Sequence, residues 1–316
     1  MMKPHAKTAP ASKFLAPGEG FLEHGPDDQC DPALAKVRVI PFGLEHSVSY
    51  GGGTAAGPQA ILNGSHELEK FDEEFWCEPV GDFGIITLNS PAPVGSNNEQ
   101  ALAQIEGLVE EALQDGHFPF VLGGEHTLTA GAIRPLARRC AARGETLTIL
   151  QFDAHGDLRS EFRGEVFSHA AAMYHCLAPH DNVRLVAVGI RSISSPEIPF
   201  LESNKDRITT FWGKDIGKWN ADDVAKAVGT GPVYITFDID GFDSSLIPAT
   251  GTPEPGGLFW HETMDILRLV GKNATVVGAD VVELAPAPGL HACEFLACKL
   301  AYKMMTYSLY GKSGKN

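Results

Sequence analysis

The sequence predicts an α/β protein with three layers, α-β-α, around a mostly parallel sheet of about eight strands. Apolar, β-branched runs of strand length alternate with helix-length amphipathic segments along the whole chain, the pattern of a parallel sheet covered on both faces. Unusual polar clusters directly follow several of these runs, and ligands in such folds bind outside the carboxyl ends of the strands. No repeat and no shift in composition marks an internal boundary. Residues 36–308 therefore read as one domain, preceded by an N-terminal arm (1–35) rich in Pro, Gly and charge and followed by a short tail (309–316).

Taken in order, Val37–Phe42 is the first strand, with Pro41 near its end, where a missing donor matters least. Glycine-rich residues 51–57 follow, and Pro58 suits the first turn of a helix over 58–71. The run from Gly51 to Ala56 matches G-x-G-x-x-A. However, residues 44–51 separate it from the strand, so the strand-turn-helix context of a dinucleotide fingerprint is missing. It reads as a flexible loop or as the lip of an active site. A short strand is expected within 78–86, an amphipathic helix over 98–115, and a strand over 118–122 that runs into Gly123-Gly124-Glu125-His126-Thr127 and a helix to residue 143. The run 147–151 reads as a fully buried strand leading into Phe152-Asp153-Ala154-His155-Gly156-Asp157. Further strands are expected over 183–190, 207–212, 233–237 and 274–284, and a closing helix over 293–307.

Charge narrows the function. With 25 Lys and Arg against 40 Asp and Glu, the net charge is −15. That argues against a nucleic-acid or anionic-membrane partner and suits a small cationic one. None of the six cysteines forms a CxxC pair, so reduced thiols and a cytoplasmic location are expected. Neither a signal-peptide pattern nor an apolar run of membrane-spanning length is found.

Four strand ends carry chemistry: His126 behind its two glycines; Asp153, His155 and Asp157; Asp238-Ile239-Asp240-Gly241-Phe242-Asp243; and Glu283. In an extended backbone, i, i+2 and i+4 share a face. That spacing gathers Asp153, His155 and Asp157, and likewise Asp238 with Asp240. Any single cluster could be a loop cap, but several in one sheet would repel unless a cation sat among them. His126, Asp153, His155, Asp157, Asp238 and Asp240 offer four carboxylates and two imidazoles, enough for two divalent ions. Oxygen-rich ligation without thiolate favours Mn²⁺, with Ni, Co and Zn as alternatives. Two ions about 3.5–4 Å apart can clamp a water, lower its pKa and supply a hydroxide for hydrolysis. Asp243 reads as a loop-shaping neighbour, and His46, His175 and His261 as ordinary histidines.

Gly-Gly-Glu-His, Asp-Ala-His-Gly-Asp and Phe-Asp-Ile-Asp-Gly-Phe-Asp, in this order, resemble the ureohydrolase family of arginases and agmatinases over residues 41–307. Gly251-Thr252-Pro253-Glu254-Pro255-Gly256-Gly257 and Ser168-His169-Ala170 resemble its agmatinase branch. The resemblance implies an arginase-like fold and two Mn²⁺ ions. One would be held by His126, Asp153, Asp157 and Asp238, the other by Asp153, His155, Asp238 and Asp240. It further implies Asp157 as the proton carrier to the leaving amine, Glu283 as the group that aligns the guanidinium, and His169 as a proton shuttle. It also implies a homo-oligomer, a trimer or hexamer. The expected reaction is attack of the bridging hydroxide on a guanidinium carbon, most simply agmatine to putrescine and urea. The alternatives are a guanidino acid such as guanidinobutyrate or guanidinopropionate, a formimino or deacetylase substrate, and an inactive regulator.

Two departures stand out. Asp243-Ser244-Ser245 replaces the proline usual after the third motif, and residues 284–289 are unusually rich in proline. The loop over 158–165 carries both signs: Glu161 and Glu165 could meet a distal ammonium, Arg159 and Arg163 a carboxylate.

Overall fold

The computed structural model describes residues 12–95 and 97–312. Eight strands form one sheet: β1 Val37–Phe42, β2 Ile85–Thr87, β3 Phe118–Gly123, β4 Leu147–Phe152, β5 Val183–Ile190, β6 Ile208–Trp212, β7 Pro232–Asp238 and β8 Thr275–Val282. The order is β2-β1-β3-β8-β7-β4-β5-β6, and every pairing is parallel. Among the described residues the α-helices are α1 Gly57–Ser65, α2 Pro79–Phe83, α3 Asn98–Gln114, α4 Leu128–Ala132, α5 Arg134–Ala142, α6 Ala172–Leu177, α7 Ile198–Ser203, α8 Ala221–Val228, α9 Trp260–Asn273 and α10 His291–Tyr310.

The period-two pattern of each strand feeds two cores. Leu150 and Phe152 of β4 join α1, α8, α9 and α10 on one face. Leu147 and Ile149 join α3, α4, α5 and α6 on the other. A fully buried side chain of this size contributes roughly 1.5–3 kcal/mol, so the sheet is a rigid base for the loops above it.

Local chemistry moves some element boundaries. Pro79 opens the short α2 rather than a strand, Gly84 ends it at φ +61, and the second strand shrinks to Ile85–Thr87. The expected helix over 58–71 stops at Ser65. From there the chain turns to bring Asp72 against Lys303 on α10, 2.8 Å apart and both buried. Removing one partner of such a buried pair costs about 3–5 kcal/mol, which outweighs the propensity of a few more helical residues.

Of the expected arm over 1–35, residues 1–11 lie outside the described residues. Beyond them, Phe14 bridges Leu88 beside the edge strand β2, and Phe21 and Leu22 are buried. An edge covered in this way is not open to another strand. Of the expected tail, residues 309 and 310 complete α10 and residues 313–316 lie outside the described residues. All six cysteines are free thiols. Among the described residues, no helix is long and apolar enough to cross a membrane.

Candidate metal centre and active site

Connections leave β4 and β7, which are neighbours, in opposite directions, so the sheet has a switch point there. The four polar clusters follow β3, β8, β7 and β4, which are contiguous in the sheet. This places His126, Glu283, Asp238 with Asp240, and Asp153 with His155 and Asp157 around one point.

The local geometry differs from the extended backbone expected. β4 ends at Phe152, and Asp157 sits at φ +50. Asp240 lies in a single turn, Ile239–Gly241. The carboxylates converge because the chain bends after each strand. Glu283 is also left-handed, at φ +64. Non-glycine residues rarely hold such angles, and they persist where the surroundings over-determine them.

Backbone amides orient the acids. Asp153 Oδ1 accepts from His155 N (2.6 Å), Asp238 Oδ1 from Asp240 N (2.9 Å), and Asp240 Oδ1 from Ala154 N (2.9 Å). The second oxygens of Asp153 and Asp240 face the imidazoles of His126 and His155, and Asp153 Oδ2 also accepts from Gln151 Nε2 (2.8 Å). Gly241 is required where these loops meet, since a Cβ there would lie 2.8 Å from Asp153 N. Gly124 is equally constrained: its Cβ would strike the Leu44 carbonyl.

Two clusters of possible metal ligands result, His126-Asp153-Asp157 and Asp153-His155-Asp240, and they share Asp153. His126 Nδ1 lies 3.2 Å from Asp153 Oδ2, 3.0 Å from Asp157 Oδ2 and 3.5 Å from Asp238 Oδ2. His155 Nδ1 lies 2.9 Å from Asp240 Oδ2 and 3.6 Å from Asp153 Oδ1. His126 is fully buried, yet its Nδ1 makes no hydrogen bond. Burial opposes a charge on this ring, but Asp153, Asp157 and Asp238 outweigh it and keep the ring protonated without a metal; a nitrogen aimed at several inward oxygens fits a divalent cation that would take the place of that proton.

The other side of His126 explains which nitrogen is free. Its Nε2 is 2.9 Å from Thr236 Oγ1, and that hydroxyl donates to Asp280 Oδ1 (2.6 Å). Thr129 and Tyr234 also donate to Asp280 (both 2.8 Å). With its proton committed to Asp280, Thr236 accepts from Nε2–H, which leaves Nδ1 as the nitrogen that can ligate. Sequence reasoning missed this network. Its one signal was an aspartate inside the apolar strand β8. Thr236→Val is expected to weaken divalent-metal binding by about 10–100-fold, read by titration calorimetry.

Electrostatics point the same way. Burial pushes the Asp157 carboxyl up to about 7, with repulsion from Asp153 adding to it. Burial and the Asp240 and Asp153 charges raise Asp238 well above the carboxylate range. Burial raises Glu283 to about 8. Burial opposes a charge on His155, but Asp240 and Asp153 outweigh it and hold the ring protonated up to about 12. Without a cation, the cluster relieves its negative charge by keeping protons.

A cavity of about 360 Å³ opens above this floor, lined by Asp157, Asp238, Asp240, Glu283 and His169 among others. Glu283 Oε1 accepts from His126 N (2.7 Å). His169 Nδ1 faces the Ser47 and Ser168 hydroxyls, each at 3.4 Å, so Nε2 is the ring nitrogen left for other partners. Burial lowers the His169 pKa. Ser47 in turn donates to the buried Glu125 (2.9 Å), which also accepts from Asn98 (3.0 Å). Of the charged residues in the 158–165 loop, Arg159 lines the cavity, with its guanidinium 4.5 Å from the Phe162 ring centre. Arg163 donates to Ser49 O, Glu165 accepts from Phe167 N, and Glu161 is exposed. Sequence reasoning did not single out Glu197. It also lines the cavity and accepts from Leu158 N (3.1 Å). Asp243 accepts from Gly256 N (2.6 Å), Gly257 N (3.0 Å) and Ser245, which shapes its loop.

A three-layer fold whose sheet carries paired acid–imidazole clusters at its switch point, under a cavity, defines an α/β protein with a candidate metal centre. The pattern of the Arginase family matches residues 35–306. An N(1)-aminopropylagmatine ureohydrolase of Synechocystis is 35% identical over 94% of this chain and 96% of its own. An agmatinase of Bacillus anthracis is 33% identical over 81% of this chain and 86% of its own. The crystal structure of the agmatine ureohydrolase of Thermoplasma volcanium superposes with a TM-score of 0.78 at 26% identity, covering 92% of this chain and 94% of that one. The chain belongs to the arginase family.

Proposed function

We propose that the protein is a Mn²⁺-dependent amidinohydrolase of a cationic guanidino compound, agmatine in the first instance, releasing urea and putrescine. The observation that carries this reading is the pair of clusters sharing Asp153, with the unpartnered His126 Nδ1, beneath a cavity that Glu283 also lines.

His126, Asp153, His155, Asp157, Asp238 and Asp240 would hold the metal pair, whose chemistry there would be to acidify a water enough for attack at neutral pH. The remaining work falls to side chains. Glu283 holds one oxygen on His126 N and offers the other to guanidinium N–H groups, a charge-assisted contact that turns the carbon toward the floor. Asp157 lines the cavity beside His126, and as a carboxylate there it would take a proton from the attacking water and deliver it to the leaving amine. The amine departs readily only when protonated. His169 passes the proton between Nε2 and solvent at the mouth.

The test is urea release, with Mn²⁺ present, from agmatine, N(1)-aminopropylagmatine, arginine and guanidinobutyrate side by side. Highest kcat/KM on agmatine supports the reading, and no urea from any of the four sinks it. One observation favours a second reading, a guanidino acid: Arg159 lines the cavity and has no carboxylate partner among the described residues. In that case guanidinobutyrate would be preferred, and Arg159→Ala would raise its KM and leave that of agmatine unchanged.

A further inference from the structure

Arg191 follows β5 and is half-buried, yet none of its donors meets a carboxylate among the described residues. Its Nε donates to Pro255 O (3.0 Å). Nη1 donates to Gly189 O (3.1 Å) and Gly241 O (3.5 Å). Nη2 donates to Asp240 O (2.7 Å), Phe242 O (3.1 Å) and Glu254 O (2.8 Å). The planar fork thus serves carbonyls from three segments: the end of β5, the turn that carries Asp240, and the loop over 250–257. That last loop forms part of the cavity wall through Thr250, Gly251 and Thr252, and Gly251 O receives Gly51 N from the facing lip (3.2 Å). Inward-facing carbonyls repel one another and are costly to leave unpaired. A lysine at this position has three donors and no fork, so it cannot replace the contacts.

We propose that Arg191 is a positioning residue that holds the Asp240 turn and the 250–257 wall as one body, so that the occupancy of one metal position and the fit of the substrate depend on it together. Asp240 belongs to the second cluster only, with His155 and Asp153, so the two metal positions respond unequally. For its metal arm the inference rests on the metallohydrolase reading above. Its structural arm does not.

The experiment compares Arg191→Lys and Arg191→Gln with the unaltered protein. Hydrogen exchange is followed first, in the metal-free state, over 239–242 and 250–257. Both segments are expected to exchange faster in step, with β4 and β7 unchanged. Mn²⁺ titration is then expected to show one of two ions bound about tenfold more weakly and the other unchanged. At saturating Mn²⁺, the KM for agmatine should rise several-fold more than kcat falls. Wild-type exchange in both segments would overturn the proposal. So would faster exchange throughout the sheet, or equal weakening of both ions, since either marks general destabilisation. Should the unaltered protein release no urea at all, the amidinohydrolase reading fails, and the exchange and Mn²⁺ data still judge Arg191.

Discussion

Replacing Asp157 by asparagine is expected to lower kcat by about 10²–10⁴ at saturating Mn²⁺, the range for losing a positioned general acid–base. Asparagine is the informative substitution because Asp157 sits at φ +50. Asparagine tolerates that left-handed conformation, whereas alanine would add backbone strain to the loss of the carboxyl. Metal affinity should also fall, because Asp157 Oδ2 is one of the oxygens facing His126 Nδ1. Rates must therefore be compared at measured full occupancy. An Asp157→Asn protein that binds metal and hydrolyses at the wild-type rate would remove Asp157 from the mechanism.

Metal removal should have an effect of similar size on stability, and one that depends on pH. In the unfolded chain, carboxyls titrate near pH 4. In the metal-free fold, burial holds Asp157 up to about 7 and Glu283 up to about 8. Between those limits the folded state keeps protons that the unfolded state has lost, so raising the pH destabilises it. The raised pKa of His155 adds to the same trend above about pH 6.5. Asp153 is lowered: burial opposes the shift, and His126 and His155 outweigh it. Its contribution is lost only in more acid solution. The melting temperature of the metal-free protein should therefore fall steadily from about pH 5 to 8.5. Mn²⁺ displaces these protons, so its stabilisation should grow over the same interval. At a free concentration roughly a thousandfold above the dissociation constant, one bound ion adds about 4 kcal/mol. Calorimetric scans with and without Mn²⁺ measure both trends. A metal-free melting temperature that is flat or rises with pH would contradict the charge arrangement.

Much of this was legible in the sequence, for identifiable reasons. Strands such as β4 and β5 are largely apolar, broken only by Thr148, Gln151 and Arg184, because burial on both faces permits little else. The six acids and imidazoles fall within short motifs because each strand end can deliver only residues close to it. What was hidden depends on distant partners. Thr236 and Asp280 meet across β7 and β8, and Arg191 draws together segments up to residue 255. Glu197 closes a capping box with Ser194, and nothing in that local run points to the cavity it lines. The turns after β4 and β7 were misread as extended because alternate spacing is common to a pleated strand and to a tight turn closed by its own aspartate.

The strand order has a consequence for biogenesis. β8 ends at Val282 and lies in the middle of the sheet, between β3 and β7. A nascent chain lacking it has two separate sheet fragments, β2-β1-β3 and β7-β4-β5-β6, with no backbone pairing between them. The half that bears His126 cannot register against the half that bears the aspartates until this late strand threads the gap. Chains of this kind expose unpaired inner edges while they are made, and such edges are where aggregation starts. The cluster that includes His126 therefore waits for β8, whereas Asp153, His155 and Asp240 come from strands that pair without it, so metal supply can stabilise the complete pair only in chains that have passed β8.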